Sequence, residues 1–397
     1  MNRFLGAILL VAGTTIGAGM LGLPMITAFC GFYPSIVTIT ICWLFLLLSS
    51  FLMLDVNLSI EGEVNLISMA EKTLGKWGKV ACWISYLFLL YALDVAYLAG
   101  GSKILQEFIP WPTWVLSLII LIPLALITYS GMKNVDGINR LMMAGKLGVG
   151  YILLIIFVPS HIKYSNLVHV DLNPILLSLP IILQAFGFHT VISSLVPYLH
   201  RNVVKLRWSL TLGSFLALIV YIIWELLVLG VVPVIGDISI SKAWMQGEVS
   251  TAPLIHILHQ PMISTGAFIF AIFAIGTAFL GVSIGLFDFL IDGFKLKRDV
   301  KGKALAFTAA FLPPFIFVIT CPRIFLSALE YAGVMVAVIF GLIPICMAWT
   351  LPKTSFWGRP NGKMVLVTAA LFFGGVVVLD VLSKTSVLES ILAVYLR

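Results

Sequence analysis

Three features of this 397-residue chain point to a helical protein embedded in a membrane. The residues are 61% hydrophobic and only 10% charged, against roughly 25% charged in a soluble domain, so the chain cannot cover a water-facing surface. Apolar runs of about 20 residues recur along the whole length, each able to cross a hydrocarbon core of about 30 Å as a helix. These runs do not break into alternating ten-residue segments, which disfavours an outer-membrane barrel.

The expectation is an all-α integral membrane protein with eleven transmembrane helices. The spans fall near 4–30, 33–55, 80–103, 113–131, 138–159, 174–198, 208–233, 263–290, 304–320, 325–350 and 364–382. Arg3 followed by an apolar run suits the start of the first span better than a signal peptide. The net charge of +7 is topological. Basic residues lie between the apolar runs, and no stretch interleaves them with aromatics as a nucleic-acid surface would. With the N-terminus on the cytoplasmic side, the inner loops hold 17 of the 24 Lys and Arg, the outer side holds six, and Lys146 lies within a span. That is the positive-inside bias, and it leaves the C-terminus outside. The five cysteines are scattered without a CxxC pair, which argues against a metal site. Cys30 and Cys321 fall on the same outer side, where a disulfide between them would be permitted.

Two loops carry pattern. The inner segment 64–78 places Leu66, Met69, Ala70 and Leu74 at the spacing of an amphipathic helix lying along the membrane surface. The outer segment 237–261 holds Trp244, Ile255 and Leu258 and reads either as a lid or as a plain connector.

The first span contains "GTTIGAGMLGLP", from Gly13 to Pro24: four glycines and a proline where continuous helix is expected. Such residues free backbone groups from the helical ladder, which is tolerated in a membrane where protein surrounds them or where they line a cavity. Close helix packing through small residues is the competing explanation. The sixth span has a second interruption, Gly187 between Phe186 and Phe188, followed by His189 and flanked by Pro180 and Pro197. Each interruption opens a block of five spans, and the two blocks enter the membrane from opposite sides. Paired breaks at matching positions point to an inverted-repeat transporter with a midplane site. The repeats are about 1–159 and 174–350 within one core, 1–350, followed by an inner loop, the eleventh span and a short outer tail, 351–397.

The breaks have chemistry. A half-helix beginning after the first break presents N–H groups around Gly17, Ala18 and Gly19, and its dipole favours a carboxylate. Carbonyls freed before each break, such as that of Thr15, accept bonds from an ammonium group. An amino acid carries both charges at one end, and glycine lets that end approach the backbone. Phe186, Phe188 and His189 then hold an apolar or aromatic side chain, or serve as core or lipid-facing packing.

Several separated motifs carry a family resemblance: "VAGTTIGAGMLGLP" at 11–24, "FGFH" at 186–189, "FLGVSIGLFD" at 279–288, "FLPP" at 311–314 and "PRIFLSALEYAG" at 322–333. In that order they resemble the bacterial hydroxy/aromatic amino acid permeases of the amino acid/polyamine/organocation superfamily, over nearly the whole chain. The resemblance implies eleven spans, the five-plus-five repeat with helices 1 and 6 broken, and residence in the bacterial inner membrane. It also implies proton-driven uptake of an aromatic amino acid, with the tyrosine-specific permeases the most similar and tryptophan or phenylalanine preference the alternative. No cofactor beyond the proton gradient is implied, and the partners are the amino acid, protons and lipid.

Ionisable residues inside a span are functional candidates. Lys146 lies deep in span 5. In sodium-coupled relatives of this fold a sodium ion bridges the first broken helix and span 8, and the resemblance suggests that the Lys146 ammonium takes that place, near the carbonyls before the first break and the Thr277 hydroxyl. It acts either as a proton carrier or as a permanent cation pinning two spans. Asp94 in span 3 and Glu225 in span 7 are further proton-coupling candidates; His189, Glu330 and Asp380 are also buried in the reading, and Asp55 and Asp288 sit at inner helix ends. A buried lysine argues against sodium coupling by repulsion. A membrane acyltransferase is disfavoured because no HxxxxD cluster appears, and a channel has no need of paired breaks.

Overall fold

The computed structural model describes residues 3–382 apart from Glu63, Gly131, Arg298 and Pro322, and the expected outer tail lies outside the described residues. Helix α1 (Arg3–Thr15) and α2 (Gly19–Thr27) are two pieces of one run, bent by 52° where the glycines fall. The next helix, α3 (Phe32–Ser59), is long and apolar, whereas α4 (Leu66–Gln106) is kinked. The Asn65 side chain caps α4 by accepting the Ser68 N–H. Gly75 then breaks it with φ 74°, a left-handed conformation suited to glycine. The amphipathic segment is therefore a helical arm ahead of the span proper. Met69 and Ala70 are its buried side, and Lys72, Lys76 and Lys79 are exposed.

Helix α5 (Thr113–Ser130) is followed by α6 (Met132–Gly145), a π-helical turn Lys146–Tyr151, and α7 (Ile152–Phe157). A short α8 (Tyr164–Leu167) leads to α9 (Ile175–Ala185). A 3-10 turn, Phe188–Val191, separates α9 from α10 (Ile192–Tyr198), so this run is broken where Gly187 falls. The remaining helices are α11 (Val203–Val231), α12 (Ile240–Gln246), α13 (Thr251–Leu258), α14 (Pro261–Gly293), α15 (Val300–Thr320), α16 (Ile324–Val336), α17 (Ile343–Trp349) and α18 (Pro360–Leu382). A second π-helical turn, Ala337–Leu342, joins α16 to α17.

Among the described residues, nine helical segments are long and apolar enough to cross a membrane, and α1 with α2 makes ten. The fourth expected span is a shorter apolar helix, Thr113–Tyr129. No strand occurs among the described residues.

Packing sets the broken run at the centre. Every residue of α2 is buried, and α2 lies against α9 while α1 lies against α11. Helix α14 packs on α4 and on the first π-helical turn. At one end of the molecule Asp55 accepts from Arg207 at 2.9 and 3.0 Å and from the Trp357 indole at 2.7 Å, and Arg3 meets His200. At the other end the loop helices α12 and α13 are ordered. The Ser250 N–H donates to the Leu21 carbonyl at 3.2 Å, seating that loop on α2. His256 pairs with Glu107 at 2.7 Å, tying α13 to the end of α4. The permitted disulfide does not form: Cys30 is a buried free thiol and Cys321 an exposed one.

Candidate functional site

The break between α1 and α2 spans three residues, Ile16, Gly17 and Ala18. The N–H groups of Gly17 and Ala18 find no backbone acceptor among the described residues, and no side chain caps α2. The start of a helix with free N–H groups attracts an anion. Gly17 is half-buried, while Ala18 and Gly19 are buried. A methyl group at Gly17 would meet nothing nearer than the Ala278 Cβ, 3.7 Å away. Gly19 is different: a methyl group there would lie 2.5 Å from Gln184 Oε1 and 3.1 Å from the Ala185 Cα. Glycine is needed at that position because the second broken run presses on the first.

The carbonyls before the breaks are taken by the protein itself. Lys146 Nζ donates to the Ile16 carbonyl at 2.6 Å and to Thr277 Oγ1 at 3.3 Å. Lys146 is fully buried. The Thr277 hydroxyl donates to the Ala274 carbonyl at 3.1 Å, which leaves its lone pairs for the ammonium. The Tyr221 hydroxyl lies 2.6 Å from the Thr15 carbonyl and 2.7 Å from the Ala185 carbonyl. One phenolic proton is shared between the last helical carbonyls of α1 and α9, tethering both breaks to α11. The Thr15 hydroxyl turns back to the Val11 carbonyl at 2.7 Å and offers no free donor.

At the second break, Phe186 is buried with its ring edge-on to Tyr221, centroids 4.9 Å apart. Gly187 is half-buried. Phe188, His189 and Phe340 form a stack with centroid spacings of 4.9 Å on both sides of the imidazole. Phe188 and His189 are fully buried. Phe340 lies in the second π-helical turn, and its carbonyl accepts from the Ser49 hydroxyl.

The two acidic candidates sit apart from Lys146 in their hydrogen bonding. Asp94 accepts from the Ser283 hydroxyl at 2.9 Å, and its second oxygen has no hydrogen-bond partner among the described residues. Ser283 follows Thr277 on α14 by six positions, about 9 Å along a helix. Glu225 lies four residues after Tyr221, and both of its oxygens are within 3.0 Å of the Thr27 hydroxyl at the end of α2. That hydroxyl is also 2.8 Å from the Leu23 carbonyl.

Sequence reasoning missed Tyr221, Gln184 and Tyr97. Tyr221 and Glu225 share one helix face at i, i+4, a spacing that was available. Gln184 is an amide inside the run "LPIILQAFG", another available signal. Tyr97, whose hydroxyl accepts from Gln184 Nε2 at 3.3 Å, had none.

Over residues 1–381 the sequence matches the tryptophan/tyrosine permease family. The chain belongs to that family. The permease is 32% identical to tyrosine-specific transport system 1 of Haemophilus influenzae, over 94% of this chain and 96% of that relative. It is 29% identical to a tryptophan-specific transport protein of the same organism, over 93% of each. The fold is shared with a manganese transporter from Eremococcus coleocola: a mutant of that protein superposes with a TM-score of 0.64 at 13% identity, over 99% of this chain and 93% of the other. The relatives are transport proteins, and the permease is a multi-pass membrane protein rather than an enzyme.

Proposed function

We propose that this permease imports an aromatic amino acid, tyrosine first, by proton symport with alternating access in the bacterial inner membrane. The observation that carries the reading is Lys146: a buried ammonium wedged between the broken α1–α2 run and α14, beside free N–H groups at Gly17 and Ala18. The amides take the substrate carboxylate. The aromatic group at the second break, Phe186, Phe188 and His189 around Gly187, bounds the side of the site where the substrate ring lies. Lys146 with Thr277 carries the coupling proton, and no sodium ion is required where an ammonium already donates to the carbonyl. Asp94 and Glu225 hand protons on. Hydrogen-bond counting favours that role for Glu225. Thr27 has one hydroxyl proton and three oxygens around it, an arrangement that accommodates a proton on the Glu225 carboxyl.

Eleven spans in a five-plus-five inverted repeat, about 1–159 and 174–350, with 351–397 appended, fit this mechanism. Two observations support the repeat: runs 1 and 6 are both broken, and the π-helical turns fall in runs 5 and 10. The basic-residue bias supports a cytoplasmic N-terminus and an outer C-terminus. Tyrosine preference rests on the two tyrosine-specific relatives of H. influenzae, each 32% identical. The test is uptake of labelled tyrosine, tryptophan and phenylalanine into proteoliposomes under an imposed proton or sodium gradient. Tyrosine accumulation driven by protons alone is expected; accumulation that needs sodium refutes the coupling, and a tryptophan optimum refutes the substrate order.

A further inference from the structure

The occupied carbonyls leave a question that the site itself answers. A zwitterionic head group needs an acceptor for its ammonium as well as donors for its carboxylate. The carbonyls of Thr15 and Ala185 already share the Tyr221 proton, and that of Ile16 holds Lys146. The Phe186 carbonyl accepts from the Phe188 N–H at 2.8 Å, and the Gln184 carbonyl from the Gly187 N–H at 3.2 Å. Backbone acceptors at the two breaks are largely spent.

One buried acceptor beside the break is not. Gln184 is 7% exposed, and its Oε1 has no hydrogen-bond partner among the described residues. That oxygen lies 2.5 Å from where a Gly19 methyl group would sit, directly against the first residue of α2. Its amide nitrogen is anchored on the Tyr97 hydroxyl. A buried acceptor without a donor is destabilising, and such an orphan calls for an explanation, of which a ligand that supplies the donor is one. Asp94 Oδ2 and the two His189 ring nitrogens are also without hydrogen-bond partners among the described residues, but the Asp94 carboxyl is held on Ser283 of α14 rather than against α2, and the imidazole is stacked with Phe188 and Phe340.

We propose that the Gln184 carboxamide receives the substrate's ammonium group, with Oε1 standing in for the carbonyls that Tyr221 and Lys146 occupy. This rests on the amino acid transport reading above. The substrate head is then gripped from two sides: carboxylate on the Gly17 and Ala18 amides, ammonium on a side chain of the second broken run. Binding links the two breaks through one small molecule.

The experiment is competition against labelled tyrosine uptake by four unlabelled compounds: tyrosine, 3-(4-hydroxyphenyl)propionate, which lacks the ammonium, tyramine, which lacks the carboxylate, and phenylalanine, which lacks the hydroxyl. Ratios of inhibition constants are taken within each variant, so a smaller folded fraction cancels. For Gln184→Met the preference for tyrosine over the propionate is expected to narrow by about tenfold to a hundredfold, the worth of one charge-assisted hydrogen bond. The ratios against tyramine and phenylalanine stay within about twofold of the parent. An unchanged propionate ratio overturns the proposal. So does a change confined to tyramine, which would assign the carboxamide to the carboxylate, or to phenylalanine, which would assign it to the phenol. If Gln184→Met does not yield folded protein, Gln184→Asn withdraws the oxygen by about one carbon–carbon bond, roughly 1.5 Å, and must narrow the same ratio. A parent that takes up none of tyrosine, tryptophan and phenylalanine would instead overturn the transport reading itself.

Discussion

Replacing Lys146 separates stability from coupling, and the structure sets the expected size of each effect. The ammonium makes two hydrogen bonds, to the Ile16 carbonyl and the Thr277 hydroxyl, in a fully buried position. Charge-assisted bonds contribute about 1.5–3 kcal/mol each, so Lys146→Met forfeits about 3–6 kcal/mol of contacts. It also removes the cost of burying an ammonium, several kcal/mol after relaxation, and it keeps the volume of the side chain. The two nearly cancel. Folding stability should change by no more than about 2 kcal/mol, in either direction, and the purified variant should melt within a few degrees of the parent.

Transport should not cancel. One pH unit across the membrane is worth about 1.4 kcal/mol, enough for roughly tenfold accumulation by a one-proton symporter. Proteoliposomes with such a gradient, alkaline inside, should concentrate tyrosine up to that limit with the parent and not at all with Lys146→Met. Counterflow of labelled tyrosine, which needs no net proton movement, should persist in the variant. Lys146→Arg decides between carrier and strut. Guanidinium stays protonated at any accessible pH, so a proton carrier is lost while a structural cation is partly restored. Full accumulation by the arginine variant would sink the argument and move attention to Asp94 and Glu225.

Three further outcomes follow from named contacts. Gly19→Ala places a methyl 3.1 Å from the Ala185 backbone and should cost about 1–3 kcal/mol by overpacking, read as a lower melting temperature, whereas Gly17→Ala, with 3.7 Å of clearance, should melt like the parent but raise the KM for tyrosine because the methyl stands beside the free amides. Tyr221→Phe leaves the Thr15 and Ala185 carbonyls without their shared donor and should lose about 1–3 kcal/mol of stability, measured by thermal melting, together with counterflow rate. Burial and the neighbouring Glu107 carboxylate raise the Glu248 carboxyl to about 7, against the opposing pull of His256 and Lys103. A carboxyl whose pKa is raised on folding contributes stability fully below its ordinary 4.5 and loses it as pH rises through about 7. Docking of the α12–α13 loop should therefore weaken from pH 5 to pH 8, and Glu248→Gln should flatten that slope in a melting series.

Some of this was legible in the sequence because glycine and charge are local signals. The interruption at Gly17 needs only the helix propensity of its own neighbours, and Lys146 needs only its depth in an apolar run. The partner of Lys146 at Thr277 came from family resemblance, since 131 residues separate them. Tyr221 and Gln184 left only weak local signals, the i, i+4 spacing to Glu225 and an amide in an apolar run. A tyrosine or a glutamine in a membrane helix is an ordinary residue until a neighbour 206 or 87 positions away is known. The kink at Gly75 was hidden for a different reason: it falls inside the stretch 64–78 read as one amphipathic helix, and only the backbone angle records the turn.

The site has an asymmetry that explains why those residues matter. A broken helix frees N–H groups on one side of the gap and carbonyls on the other. Here the protein satisfies the carbonyls with its own donors, the Tyr221 hydroxyl and the Lys146 ammonium, and leaves N–H groups at Gly17 and Ala18 open. Such a site is poised for an anion before any substrate arrives, with the buried ammonium of Lys146 adding to the helix dipole. A substrate carboxylate entering that field stabilises the charged lysine. Once the lysine is neutral, a carboxylate at the break would lose that field, and the Ile16 carbonyl would keep only an uncharged N–H donor. On the proposed mechanism substrate and proton would thus be bound more tightly together than either alone, which is the thermodynamic condition for symport. It needs no contact between the two, only a shared break in one helix.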